Sequence, residues 1–169
     1  SWDALRAVGA PLWLGPDAAL KSAIERAAKS EYLRRKDPAD CALLYLLAGR
    51  AKVLSGLFKV AREQRLADFL SRDFALEANR TAAAKNAYAL VGQHRHALAA
   101  AFFVLAGSPR DAASVARRHM RDEPLAVAVA RLAGGEGGAQ QLLAELLEEQ
   151  TGGENEAESP WRGGRPGRG

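Results

Sequence analysis

The stretch KNAYALVGQHRHALAAAFFVLAGSPRDAASVARRHMRDEPLAVAVARL, residues 85–132, decides the fold. Its pattern predicts three consecutive helices, the first over about 80–91, the second over about 95–106 and the third starting after Gly107. Gly107 suits the left-handed position that follows a helix, and Ser108 can cap the next helix with its hydroxyl group. Helices joined by so few residues lie antiparallel, so we expect a helical hairpin with a further helix packed against it.

Helical patterns continue on the N-terminal side of this stretch. Asp17 and Asp37 are predicted to cap helices, and the helix after Asp37 is apolar nearly all round, which is typical of a central helix. Gly56 lies inside a further predicted helix, where glycine costs about 1 kcal/mol relative to alanine. We expect a close helix crossing at Gly56 as the reason for it.

The organisation of the whole chain follows from these helices and from the glycine-rich segments. Residues 1–133 are predicted to form a helical, repeat-like domain, and residues 134–150 a Gly linker with an amphipathic helix. Residues 151–169, rich in Gly, Glu and Arg, are predicted to be a disordered tail. Short helices that alternate with tight turns are typical of an α-solenoid, so we predict an all-α, solenoid-like array of short antiparallel helices.

The composition fits a helical domain and disfavours several classes of protein. A chain of 169 residues with 48% hydrophobic residues can bury a core, and it contains no apolar run long enough to span a membrane. The net charge is +4, but we interpret Lys and Arg as scattered and matched by acids within each helix, which favours solvated faces over a nucleic-acid patch. Phe102 and Phe103 lie in the most apolar predicted helix, and we expect at least one of them to be fully buried.

No group of residues has the spacing of a catalytic centre. His94 and His96 are two positions apart, a spacing that would place them on different faces of a helix, and His119 is distant in sequence. We therefore interpret them as residues of a turn surface and not as metal ligands. Cys41 has no basic neighbour on its helix to activate it, and as a single cysteine it indicates a reducing compartment. Asp37 is already used as a cap, so it is not read as half of a carboxylate pair with Asp40.

Two further segments have a structural and a functional interpretation. Residues 134–138, GGEGG, lack the Lys-Ser/Thr of a phosphate loop and are predicted to be a linker. Arg117, Arg118 and Arg121 lie near a helix end, where they favour the negative end of the helix dipole; a phosphate or lipid contact is the alternative. We therefore predict no catalytic, cofactor-binding or metal-binding residues and no cofactor, and we leave the binding residues unassigned.

A family resemblance is carried by three segments: DPADCALLYLLAGRAKVLSGLFKVAR from Asp37, FLSRDF from Phe69, and AAAKNAYALVGQHRHALAAAFFVLAG with its continuation from Ala82. In order and spacing they resemble the conserved carboxy-terminal region of the RAVE complex large subunit, which the DmX-like (rabconnectin) proteins of animals share. The resemblance extends over about residues 5–132. The family usually has tryptophan where Ser55 stands and near Asn79, so this chain resembles a drifted, alanine-rich relative.

The resemblance implies a scaffold and not an enzyme. In that family the large subunit carries WD-repeat propellers ahead of this region and promotes reassembly of the proton-pumping V-ATPase. It does so by bringing the detached peripheral sector back to the membrane sector. The implied partners are V-ATPase peripheral-sector subunits and other subunits of the assembly complex, with no nucleic acid. The implied location is the cytoplasm, with peripheral association with endosomal or vacuolar membranes through those partners.

Two other classes of protein share the helical pattern. A solenoid of a vesicle coat or tethering complex would show the same alternation of short helices and tight turns. An RNA-binding helical repeat would bind RNA with an affinity that collapses as salt rises. The absence of a starting Met and the opening Ser-Trp-Asp indicate a piece of a longer protein, an expectation that fits either scaffold class.

Overall fold

The computed structural model describes residues 1–135 and 137–157. Within these ranges the regular elements are all helical and no strand is present, which confirms the all-α class. The helices in chain order are α1 Trp2–Ala7, α2 Ala10–Trp13, α3 Asp17–Arg35, α4 Pro38–Leu47, α5 Ala51–Val60, α6 Gln64–Leu70, α7 Glu77–Gly92, α8 His96–Leu105, α9 Pro109–Ser114, α10 Glu123–Ala133 and α11 Gly138–Ala157. A π-helical segment, Val115–His119, follows α9 directly. None of the described helices combines the length and the apolar character that a membrane crossing requires.

Helix α8 lies at the centre of the packing. It contacts α4, α7 and α9, and its residues 98–103 are all buried. Ala99, Ala100 and Ala101 leave little side chain between α8 and its neighbours, and small contact residues allow a short distance between helix axes. Phe102 and Phe103 are each only 2% exposed, so the prediction that at least one of them is buried is confirmed.

The helix starts were predicted in part. Asp37 caps α4 through a 2.8 Å hydrogen bond from the Ala39 amide, and Asp122 caps α10 through a 3.0 Å bond from the Leu125 amide. Ser108 occupies the N-cap position of α9, but its hydroxyl makes no cap hydrogen bond. The prediction for Asp17 was wrong, because Pro16 is the cap residue of α3 and the Asp17 carboxylate accepts a 2.8 Å hydrogen bond from Arg131 instead.

The N-terminal residues pack on α10, far away in sequence. The Trp2 indole donates a 2.7 Å hydrogen bond to the Asp122 carboxylate. The Arg131 guanidinium donates to the carbonyl oxygens of Pro11, Leu14 and Gly15 at 2.7, 2.9 and 2.8 Å. In a solenoid each repeat contacts only its neighbours. The contacts between the N-terminal residues and α10 are not contacts between neighbouring repeats. The solenoid-like arrangement therefore stays a prediction.

The C-terminal helix is longer than predicted. Helix α11 continues to Ala157, so residues 151–157, which we placed in the disordered tail, have a helical backbone. Extending a helix adds one hydrogen bond for each residue ordered, which is cheaper than starting a new one. Residues 158–169, the rest of the predicted tail, lie outside the described residues. Leu142 and Leu146 of α11 are buried, and α11 contacts α10.

The expectation of a close crossing at Gly56 was wrong. Gly56 is solvent-exposed in α5, and a Cβ added there would meet no atom within 4 Å. Glycine therefore has no packing role at this position and only lowers the helix propensity.

We expect Phe102→Ala to lower the free energy of unfolding by about 3–5 kcal/mol, because it opens a cavity beside the central helix. Urea denaturation monitored by circular dichroism measures the change. Val60→Ala is the control, since Val60 is 75% exposed and its truncation should change stability by less than about 0.5 kcal/mol. A loss below about 1 kcal/mol for Phe102→Ala would show that the ring is not part of a close-packed core.

We expect Gly56→Ala to raise the free energy of unfolding by about 1 kcal/mol, because alanine is the better helix former and the site is open. The control is Gly49→Ala, which should destabilise the chain because the φ angle of Gly49 is +74°. The same denaturation experiment compares the two variants. Equal signs for the two changes would contradict the backbone assignment at one of these glycines.

Candidate interaction surfaces

Cys41 lies in the core and not in a reactive site. Its thiol is buried in α4, and the Sγ atom donates to the carbonyl oxygen of Pro38 at 3.5 Å. Burial raises the pKa of the Cys41 thiol to about 12. The thiol is therefore neutral near pH 7, whereas a nucleophilic cysteine needs a lowered pKa.

The carboxylates at the start of α4 have separate structural roles. Asp37 is occupied as the cap of the helix, as predicted. Asp40 accepts a hydrogen bond from Arg35 at 3.1 Å on the exposed side of α3 and α4. The two groups therefore do not work as an acid–base pair.

The three histidines gather at one place, although His119 is distant in sequence. The ring of His96 stacks on that of His119 with centroids 4.8 Å apart, and the His94 ring lies 5.7 Å from His96. His94 lies in the turn before α8 with a φ angle of +59°, which agrees with its interpretation as a turn residue between the two predicted helices. In the part of the chain that the structure describes, no group of three or more His, Cys, Asp or Glu is arranged to hold a metal ion.

His96 is poorly placed to carry a proton. Its Nδ1 atom is buried, and no described group hydrogen-bonds to it. Desolvation lowers the pKa of His96 below its ordinary 6.5, and the neighbouring His119 and His94 lower it further. The folded chain is therefore more stable with a neutral His96 ring than with a protonated one.

We expect the free energy of unfolding to decrease as pH falls below about 6.5, because the unfolded chain then binds the proton of His96 before the folded chain does. The decrease should continue until the pH reaches the lower pKa of the folded His96 ring. Urea denaturation at a series of pH values measures it, with His96→Gln as the comparison. If His96→Gln keeps the full pH dependence, other groups cause it.

The arginines before α10 hold the C-terminal helix. Arg117 forms ion pairs with Glu123, at 3.2 Å, and with Glu149 of α11. Arg118 lies 3.9 Å from the same Glu149 carboxylate. Two of the three arginines that we considered for a phosphate or lipid contact are thus engaged with acids of this chain.

The glycines at 134–138 form the turn between α10 and α11. Gly135 and Gly137 have φ angles of +68° and +80°. A Cβ added to Gly134 would lie 2.4 Å from the Ala130 carbonyl oxygen, so the chain can turn here only with glycine.

The ion pairs of the described residues are unevenly distributed, which the sequence reading missed. They involve residues 3–50 and 110–149, and none of the described ion pairs includes a residue between 51 and 109. The segment 51–95 nevertheless carries twice as many Lys and Arg residues as Asp and Glu residues. Its cations are Lys52, Lys59, Arg62, Arg65, Arg72, Arg80, Lys85 and Arg95, and its acids are Glu63, Asp68, Asp73 and Glu77. We call this segment the basic segment.

A groove of about 510 Å³ opens in the basic segment between α6 and α7. Its apolar lining includes Phe69, Leu90 and Phe102, which are nearly buried. Its polar lining includes Arg65, Asp68 and Arg72 on the α6 side, Asn86 on α7 and Gln93 at the C-terminal end of α7. We call it the α6–α7 groove. The excess of cations in segment 51–95 was the available sequence signal, but only the fold reveals the groove.

A second, more apolar groove of about 430 Å³ lies between α2, α10 and α11. Leu12, Val127, Leu143 and Leu147 are among its lining residues. Leu12 and Leu147 are exposed, as is the neighbouring Trp13, whose indole donates to the Val8 carbonyl oxygen at 2.6 Å.

These observations define an all-α domain whose buried polar groups serve packing and whose concave surfaces are lined by apolar and basic side chains. The model of the family described as RAVE protein 1 C terminal matches residues 1–153. The chain belongs to this family. The predicted resemblance is therefore confirmed.

Curated relatives agree with the family match. The chain is 39% identical over 132 residues to human DmX-like protein 1, covering 78% of this chain and 4% of that protein. It is 35% identical over 156 residues to Regulator of V-ATPase in vacuolar membrane protein 1 of Saccharomyces cerevisiae, covering 89% of this chain and 11% of that protein. The Schizosaccharomyces pombe protein of the same name is 32% identical over 143 residues, 81% of this chain and again 11% of that protein. The chain thus spans only a small part of each relative's length.

Proposed function

We propose that the chain is a non-catalytic scaffold segment of a V-ATPase assembly factor, which promotes association of the peripheral sector with the membrane sector through protein–protein contacts. The observation that carries this proposal is the family match, together with yeast relatives that are named as regulators of V-ATPase in the vacuolar membrane. The relatives' names indicate regulation, and the scaffold mechanism is our inference from the helical fold and its grooves.

The chemistry of the described residues supports a non-catalytic role. The cysteine is buried and protonated, and the carboxylates at α4 are used as a cap and an ion pair. The concave surfaces carry apolar and basic groups but no pairing of a nucleophile with a base. Such surfaces suit the binding of another protein.

The partners under this proposal are V-ATPase peripheral-sector subunits and other subunits of the assembly complex. The protein would act in the cytoplasm and associate peripherally with endosomal or vacuolar membranes through those partners. A vesicle-coat solenoid, the alternative from the sequence, has no support in the names of these relatives.

Cells that lack the gene for the full-length protein test the proposal. We expect less peripheral V-ATPase sector on membranes of acidic organelles and a higher lumenal pH, because the sector no longer reassociates. The intact gene should restore both, whereas a gene without this segment should not. Quantitative immunoblotting of isolated membranes and a lumenal pH probe are the measurements.

Two outcomes would contradict the proposal. Normal assembly and pH in the null cells, with no paralogue to compensate, would remove the V-ATPase role and favour the traffic solenoid. Full restoration by the gene without this segment would show that the scaffold function lies elsewhere in the protein. The matched control is the full-length Gly56→Ala protein, which should restore assembly because residue 56 is exposed and lies outside both grooves.

A further inference from the structure

We propose that the α6–α7 groove binds an extended acidic peptide segment of a partner protein, with one apolar side chain of that segment inserted on the groove floor. This inference rests on the proposed function only in that the partner would then belong to the assembly machinery. It deepens that function by naming a surface and the chemistry of what the surface receives.

The floor of the groove is a rigid aromatic stack. The rings of Phe69 and Phe102 are stacked with centroids 5.0 Å apart and an interplanar angle of 12°. The Arg72 guanidinium lies 4.7 Å from the centroid of the Phe69 ring. The cation–π contact positions Arg72 at the rim, and its guanidinium N–H groups have no hydrogen-bond acceptor among the described residues.

The cations of the rim lack internal partners. Neither Arg65 nor Arg72 forms an ion pair with a described residue, whereas Arg34 and Arg35 of α3, and Arg117 and Arg118 before α10, all do. The acid nearest in sequence, Asp68, accepts a 2.6 Å hydrogen bond from Gln64. Asp68 also lines the groove, so the two arginines and this carboxylate leave a net charge of +1, which is complementary to a carboxylate-rich ligand.

The opposite wall suits an extended backbone. Asn86, Ala89, Leu90 and Gln93 have the spacing of a single helix face on α7. At 1.5 Å per residue, the seven-residue step from Asn86 to Gln93 spans about 10 Å, close to three residues of an extended chain. Both amides can donate to and accept from peptide groups, while the small Ala89 between them leaves room for a side chain above Leu90.

The same geometry disfavours nucleic acid and lipid. Single-stranded nucleic acid binds by stacking bases on free aromatic faces, but the Phe69 ring is already stacked on Phe102 and in contact with the Arg72 guanidinium. A membrane surface needs apolar side chains that protrude, whereas Phe69, Leu90 and Phe102 lie at the bottom of a groove and are less than one-tenth exposed. A ligand must instead bring its own apolar group into the groove.

The test uses the purified 169-residue chain and fluorescein-labelled synthetic peptides in fluorescence anisotropy. The main probe is a short peptide in which acidic residues flank a central Phe. Two companion peptides replace every acid by the matching amide or replace the Phe by Ala. We expect the main probe to bind, each companion to bind at least about tenfold more weakly, and the affinity to fall as salt rises.

Two variants of the protein locate the site. The double variant Arg65→Glu, Arg72→Glu should weaken binding at least about tenfold, because it reverses both rim charges. Its matched control is Lys21→Glu, Arg26→Glu, the same charge change at two exposed positions of α3 without described ion pairs. Ala89→Phe should block the groove by filling it, while Ala78→Phe, at another exposed position of α7, should bind normally.

Several results would overturn the proposal. They are absent binding of the main probe, equal binding of the amide peptide, and equal losses in the groove and control variants. If a uridine oligonucleotide or phosphatidylserine vesicles bind more tightly than the peptide, with the same dependence on Arg65 and Arg72, the groove is a nucleic-acid or lipid site and not a peptide site. This test measures the peptide affinity of the isolated chain and not V-ATPase assembly in cells. Peptide binding can therefore be absent while the gene still restores assembly, and peptide binding can be present while the gene does not.

Discussion

The packing of α8 against its neighbours is the constraint on which the rest of the structure depends. Three successive alanines in α8 allow close approach, and Phe102 and Phe103 fill the remaining volume. The same helix sets the surface, because Phe102 stacks on Phe69 and fixes the floor of the α6–α7 groove. A change in the core packing of α8 would therefore alter the groove as well as the stability.

The N-terminal helices are held against α10 by two polar side chains, Asp122 and Arg131. The buried Asp122 carboxylate uses one oxygen to cap α10 and the other to accept from the Trp2 indole, with Arg6 at 3.7 Å. Arg131 binds the carbonyl oxygen of Pro11 in α2 and those of Leu14 and Gly15 between α2 and α3. Leaving the buried Asp122 carboxylate without a donor would cost about 1–3 kcal/mol, so its contacts fix one arrangement of the N-terminal helices rather than merely adding attraction.

Sequence reasoning succeeded where a feature depends on neighbouring residues and failed where it depends on distant ones. The helices and the cap Asp37 were predictable because cap chemistry acts within three residues. Asp17 has the same local signature, but its carboxylate binds Arg131, which lies more than a hundred positions away. The stack of His119 on His96 likewise arises only when the segment after α9 packs on α8.

The net charge of +4 also shows that the sequence alone does not reveal how charge is distributed over the surface. An average over the chain hides the fact that acids elsewhere pair with arginines of this chain, whereas the cations of the basic segment have no such described pairs. Charge of this kind speeds association and orients a partner, but each exposed ion pair contributes only up to about 1 kcal/mol of affinity. Affinity must then come from apolar contact in the groove, and only a ligand with both properties uses the whole surface. The combination of an aromatic floor and a cationic rim thus accepts a narrower range of ligands than either part would alone.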